Sequence, residues 1–226
     1  MDRPVRSTSD RRALLACGVI GPVLFVVVFL VEGAVRPGYN PLRHPVSSLA
    51  IGEPGWVQRA DFLVAGALVL AFAVGLAPVV RRWGGGIWSP LLIGLVGAGL
   101  MGAGVFVTDP ISGYPPGTPM QPLPPTTDGA LHQLFSTPVF TALPAAGLVL
   151  AYRFAKLGNK VWAAYSAASA VAFLIAFVLT SLGFAQNPAL MPVGGLLQRL
   201  TIIIGFAWLA ALATYLLRRG AGASAD

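Results

Sequence analysis

Residues 11–36 read RRALLACGVIGPVLFVVVFLVEGAVR: two arginines, a long apolar run without charge until Glu32, then Arg36. At about 1.5 Å of rise per residue, a helix of this length crosses a hydrocarbon core about 30 Å thick. Five further runs of the same kind follow. The expected spans are 13–35, 57–80, 87–107, 131–154, 161–184 and 196–217. They are too long and too continuously apolar for the alternating strands of an outer-membrane barrel. Helices satisfy their own backbone hydrogen bonds in lipid, so the fold class is all-α: a polytopic integral membrane protein, a bundle of six transmembrane helices. Polar tails are expected at 1–12 and 219–226, with residues 1–10 and 220–226 disordered.

Composition agrees. The 226 residues are 56% hydrophobic and only 10% charged, against about 25% charged in soluble domains, and mean hydropathy is +0.76. The net charge of +7 does not signal nucleic acid, because the cations sit at helix ends on one side. Arg3, Arg6, Arg11, Arg12, Arg81, Arg82, Arg153, Lys156, Lys160, Arg218 and Arg219 all fall on segments that face inward if both termini are cytoplasmic. Only Arg36, Arg43, Arg59 and Arg199 fall outward, so the expected orientation in the inner (plasma) membrane is N-in and C-in. A basic start invites comparison with a signal peptide. The first apolar run, however, exceeds an h-region of about 7–15 residues and lacks an A-x-A site, so it is expected to stay. The single Cys17 excludes an internal disulfide.

The outward side also carries both histidines and the five acids outside the tails. Glu32, Asp61, Asp109, His132 and Arg199 each lie about 20 residues from an inner-side marker on the same span. Thr180 and Ser181 in the fifth span match that depth, so polar groups of all six helices share one layer about 30 Å from the inner boundary. Two loops cover it. Residues 36–56 read RPGYNPLRHPVSSLAIGEPGW, and residues 109–130 read DPISGYPPGTPMQPLPPTTDGA, whose seven prolines favour extended chain.

Three chemistries are open there. Asp128 and His132, spaced i,i+4, would with His44 and Asp109 supply a zinc-type set, although Asp128 also suits a helix N-cap, with Thr127 as competitor. Ser47 beside His44 offers a nucleophile and base without a G-x-S-x-G elbow. Arg36, Arg43, Arg59 and Arg199 suit a lipid phosphate, against ion pairing with acids such as Glu32 and Asp61. Glu32 is also a candidate proton carrier. No cofactor follows from these residues. Small-residue stripes, Gly94/Ala98/Gly102 and Ala164/Ala168/Ala172, serve either packing within the bundle or a homo-oligomer. Gly21-Pro22, Pro138 and Pro144 are expected to kink their helices.

The strings RPGYNPLRHPVSSLAIGEPGW, GVFVTDPISGYPPGTP, DGALHQLFSTPVF and LLQRL resemble those of bacterial domain-of-unknown-function family 998, over residues 13–217. That family is similar, more distantly, to DRAM-like six-helix membrane proteins linked to autophagy or lipid-anchor biology, in which a serine-containing loop also follows the first helix. The matching stretch here is 45–55. The resemblance implies the six-helix fold and supplies no catalytic residue. Three functions follow as expectations: a lipid- or partner-binding membrane module, a membrane-embedded lipid hydrolase using His44, Ser47, Asp109 and His132, or a small-molecule transporter.

Overall fold

The computed structural model describes residues 8–222; the expected basic residues Arg3 and Arg6, with the rest of 1–7 and 223–226 of the expected tails, lie outside them. Six helices are long and apolar enough to cross a membrane: α1 (Thr8–Val35), α2 (Trp56–Arg82), α3 (Trp88–Val105), α4 (Thr127–Lys156), α5 (Lys160–Phe184) and α6 (Gly194–Gly222). Helix already begins at Thr8 and continues to Gly222, so parts of the expected tails extend the first and last spans. Short 3-10 turns sit at Val46–Ala50, Glu53–Gly55 and Met191–Val193. Pro22, Pro78, Pro138 and Pro144 all lie inside helices.

Connections of 83–87 and 157–159 are too short for anything but antiparallel neighbours. Each helix packs on the ones before and after it in the chain, and α6 returns to α1, which closes a ring. Apolar side chains populate both sides of the wall. Phe25, Phe29, Phe72, Leu143, Phe154 and Phe206 are fully buried, whereas Val23, Val27, Val31, Ile175 and Val178 point outward, as a bundle immersed in lipid requires.

Close approach is built from glycine. A Cβ on Gly66 would stand 2.7 Å from the Gly97 carbonyl oxygen, and one on Gly97 would stand 2.8 Å from that of Gly66. The α2 and α3 backbones therefore touch directly, as small residues permit in membranes. In the α3 stripe, Gly102 meets Phe135 of α4 and Ala98 is exposed. Ala164, Ala168 and Ala172 of α5 face outward. At the end bearing the two short connections, Phe154, Trp162 and Tyr215 pack ring on ring. Asn159 donates to the Tyr215 hydroxyl at 3.0 Å and accepts from Trp162 N–H at the start of α5.

Candidate functional site at the long-loop end

The opposite end carries segments 36–55 and 106–126. Arg199, on the first turns of α6, holds the former in place. One guanidinium nitrogen donates to the carbonyls of Pro41 (2.7 Å), His44 (3.1 Å) and Gly195 (3.0 Å). The other donates to the Tyr39 hydroxyl at 2.5 Å, and the cation lies over the Phe29 and Tyr39 rings. The loop comes this close because position 195 is glycine: a Cβ there would collide with the His44 and Pro41 carbonyl oxygens, at 2.5 and 2.8 Å. Tyr39, His44 and Tyr114 form a ring cluster that joins the two segments.

His44 is spent on structure. Its Nδ1 accepts from the Asn40 backbone N–H at 2.9 Å. Burial, then the neighbouring Arg43 cation, holds its pKa below the ordinary value; the Ser112 carbonyl opposes this and Arg199 adds to it. Burial likewise raises the Tyr39 phenol, against the pull of Arg199.

Asp109 is occupied too. Its carboxylate accepts from the Thr126 N–H (2.9 Å) and hydroxyl (2.6 Å), and the Thr126 oxygen accepts from Gly129 N–H (3.0 Å). The N-cap of α4 is thus Thr126, not Asp128 or Thr127. Thr126 sits one turn ahead of Gly129, and Asp109 anchors it from behind, bringing negative charge to the positive end of the helix. Asp128 is exposed in the first turn. Among the described residues no three of His, Cys, Asp and Glu gather as a metal-holding group, so His44, Asp109, Asp128 and His132 do not assemble the zinc-type set.

The candidate arginines are mostly committed inside the protein. Arg36 pairs with Glu32 at 2.9 Å and donates to the Pro54 carbonyl at 3.1 Å. Arg59 reaches the last carbonyls of α3, at Gly104 (3.2 Å) and Val105 (3.5 Å), where a cation suits the helix end. Arg43 is half-buried, and its Nε has no hydrogen-bond partner. Asp61, buried in α2, accepts from Gln58 at 3.2 Å, while its second oxygen and the Gln58 oxygen have none.

Within the ring, beneath both segments, lies a cavity of about 320 Å³ that all six helices line. This is at the small end of the range for ligand sites, about 300–1,000 Å³. Phe25, Phe62, Leu100, Val139, Phe140 and Ile202 supply apolar wall, and Val46, Ser47, Thr108 and Ile111 bring both loops to it. Gln133 of α4 and Ser181 of α5 line the cavity and are exposed, so its mouth lies between these two helices, beside the exposed Leu134 and Leu182.

Two lining side chains have fixed orientation. His132 turns Nδ1 to the carbonyls of Ala103 (3.1 Å) and Phe106 (2.9 Å). Carbonyls only accept, so Nδ1 carries the proton, and Nε2 of the neutral ring is an acceptor with no hydrogen-bond partner among the described residues. Gln198 accepts from the Val46 N–H through Oε1 at 2.7 Å, which leaves its amide NH₂ uncommitted. The lining hydroxyls of Thr180 and Ser181 are tied back to carbonyls four residues earlier; those of Ser47 and Ser136 make no such bond. Among the described residues no Lys, Arg, Asp or Glu lines the cavity.

Of the residues singled out from sequence, Ser47, His132, Thr180 and Ser181 meet at this cavity; His44, Asp109 and the arginines build its surroundings. Gln198 and Ser136 were not foreseen. A glutamine inside the apolar run 196–217 was the available signal for the first; Ser136 had none.

A six-helix membrane protein with a side-opening cavity under two ordered loops is the class these features define. The family model for a protein of unknown function (DUF998) matches residues 19–215, and the chain belongs to that family. No curated protein and no solved structure matches the chain.

Proposed function

We propose that the protein is a membrane module that binds a lipid or similar amphiphile in the cavity under its two long loops. Both termini then face the cytoplasm, and the long-loop end faces outward from the plasma membrane. The observation that carries the reading is the cavity's layering: apolar wall within the ring, hydrogen-bonding groups toward the loops, and a mouth between α4 and α5 beside exposed leucines. An amphiphile held in the surrounding leaflet enters such a site sideways, tail and head meeting matching surface. The arginines expected to grip a phosphate are not part of this binding surface.

Ser136→Phe tests it by filling the cavity from a half-buried wall position. Lipid extraction and mass spectrometry of the purified protein should find an amphiphile retained by the parent protein and lost from the variant at unchanged melting temperature. Equal lipid content in the two proteins would reject the reading.

A second reading, lipid hydrolysis, is favoured by one observation, that Ser47 and His132 line the same cavity. A nucleophilic serine needs its base within hydrogen-bond reach, and no hydrogen bond joins this pair. Covalent capture of Ser47 by a lipophilic fluorophosphonate, lost in Ser47→Ala, would support hydrolysis; absence of capture would remove it.

A further inference from the structure

The polar inventory of the cavity restricts what head an amphiphile brings. This step rests on the binding reading above. A charged head taken from water into a low-dielectric site requires an opposite charge or a full set of hydrogen bonds. The lining offers no ion of either sign. Arg36, Arg59 and Arg199 are engaged with Glu32, backbone carbonyls and Tyr39, and Arg43 does not line the cavity. What the lining does offer is complementary and neutral. His132 Nε2 accepts, the Gln198 amide donates, and the Ser47 and Ser136 hydroxyls do either.

We infer that the cavity selects an uncharged amphiphile whose head carries both a hydroxyl donor and a carbonyl acceptor, the chemistry of an acylglycerol, and that it rejects phosphate-headed lipids. The hydroxyl satisfies His132 Nε2, which the Ala103 and Phe106 carbonyls hold in its donor-seeking state by occupying Nδ1–H. The ester carbonyl takes the Gln198 NH₂, which the Val46 N–H holds in orientation by occupying the opposite oxygen. A head lacking the donor leaves a buried acceptor unmet, and a phosphate leaves a buried charge unmet; each is a loss of specificity-grade size.

Three probes with the same oleoyl chain separate these statements on the unaltered protein: monooleoylglycerol, oleoyl glycerol phosphate and methyl oleate. Their affinities are read by displacement of radiolabelled monooleoylglycerol from protein in neutral maltoside micelles. Monooleoylglycerol should bind saturably, with each of the other two about tenfold weaker or worse. Gln133→Arg, at the exposed mouth, should strengthen the phosphate probe about tenfold by supplying the missing cation. Phosphate binding as tight as that of the glycerol ester overturns the charge selection, and equal binding of methyl oleate overturns the donor requirement. Saturable binding of none of the three defeats the amphiphile reading itself. That outcome is distinct from wrong selectivity, which leaves the binding reading standing.

Discussion

Arg199 shows how a charge in an apolar span becomes structural. Among the described residues it has no carboxylate partner. Instead it gathers three carbonyls and a phenol, partners whose dipoles stabilise the guanidinium without a counter-ion. Arg199→Ala leaves these acceptors buried and unmet, and should cost about 2–4 kcal/mol, read as a lower melting temperature with new protease cleavage in 36–55. Arg199→Lys should rescue only part of this, because a compact ammonium does not span the same fork of acceptors. His44 makes a pH prediction. Its pKa is depressed in the fold from an ordinary 6.5, so the unfolded chain takes up a proton first as pH falls. The neutral ring's contribution is therefore complete above about pH 6.5 and is lost as pH falls from there through the folded pKa. Melting temperature measured from pH 8 to 5 should decline across the lower part of this range, and His44→Gln should flatten that part of the curve. A curve of unchanged slope in the variant would assign the acid sensitivity elsewhere.

At the scale of elements, the spans were legible because helix existence in a membrane follows from length and hydropathy, which are local. What joins the elements was not. Arg199 and Pro41 are 158 positions apart, and nothing in local sequence tells an arginine that binds loop carbonyls from one awaiting a phosphate. The α4 cap illustrates the same limit. Thr126, Thr127 and Asp128 all offer capping oxygens, and the selection of Thr126 depends on Asp109, 17 residues away. Asp109→Ala should cost about 1 kcal/mol through loss of that anchored cap, with amphiphile retention unchanged; loss of binding at intact stability would return Asp109 to the site. Helix contacts were half legible. The stripe Gly94/Ala98/Gly102 was visible, but the backbone crossing uses Gly97 with Gly66, which belongs to no stripe. Gly97→Ala should therefore be worse than Ala98→Gly, destabilising by about 1–3 kcal/mol because the Cβ meets backbone that cannot rotate aside. Thermal denaturation of the two variants in detergent decides this.

For the whole molecule, the charge asymmetry now has two causes instead of one. Arg11, Arg12, Arg81, Arg82, Arg153, Lys156, Lys160, Arg218 and Arg219 cluster at the end with the short connections, and in the proposed orientation retention on the cytoplasmic side accounts for them. Three of the four arginines at the other end are held by bonds inside the protein, so their departure from the insertion rule has a structural reason. The same asymmetry is the ground for the proposed orientation, and cysteine labelling tests it. With Cys17 replaced by alanine, Asp128→Cys puts a thiol at an exposed site beside the long loops, and Leu157→Cys puts one at the exposed opposite end. A membrane-impermeant maleimide applied to intact cells should label position 128 and spare position 157; both should react once the membrane is permeabilised. Labelling of 157 alone in intact cells would invert the molecule. The amphiphile would then enter from the cytoplasmic leaflet, because the mouth between α4 and α5 lies in the long-loop half of the ring, whichever way the ring is inserted.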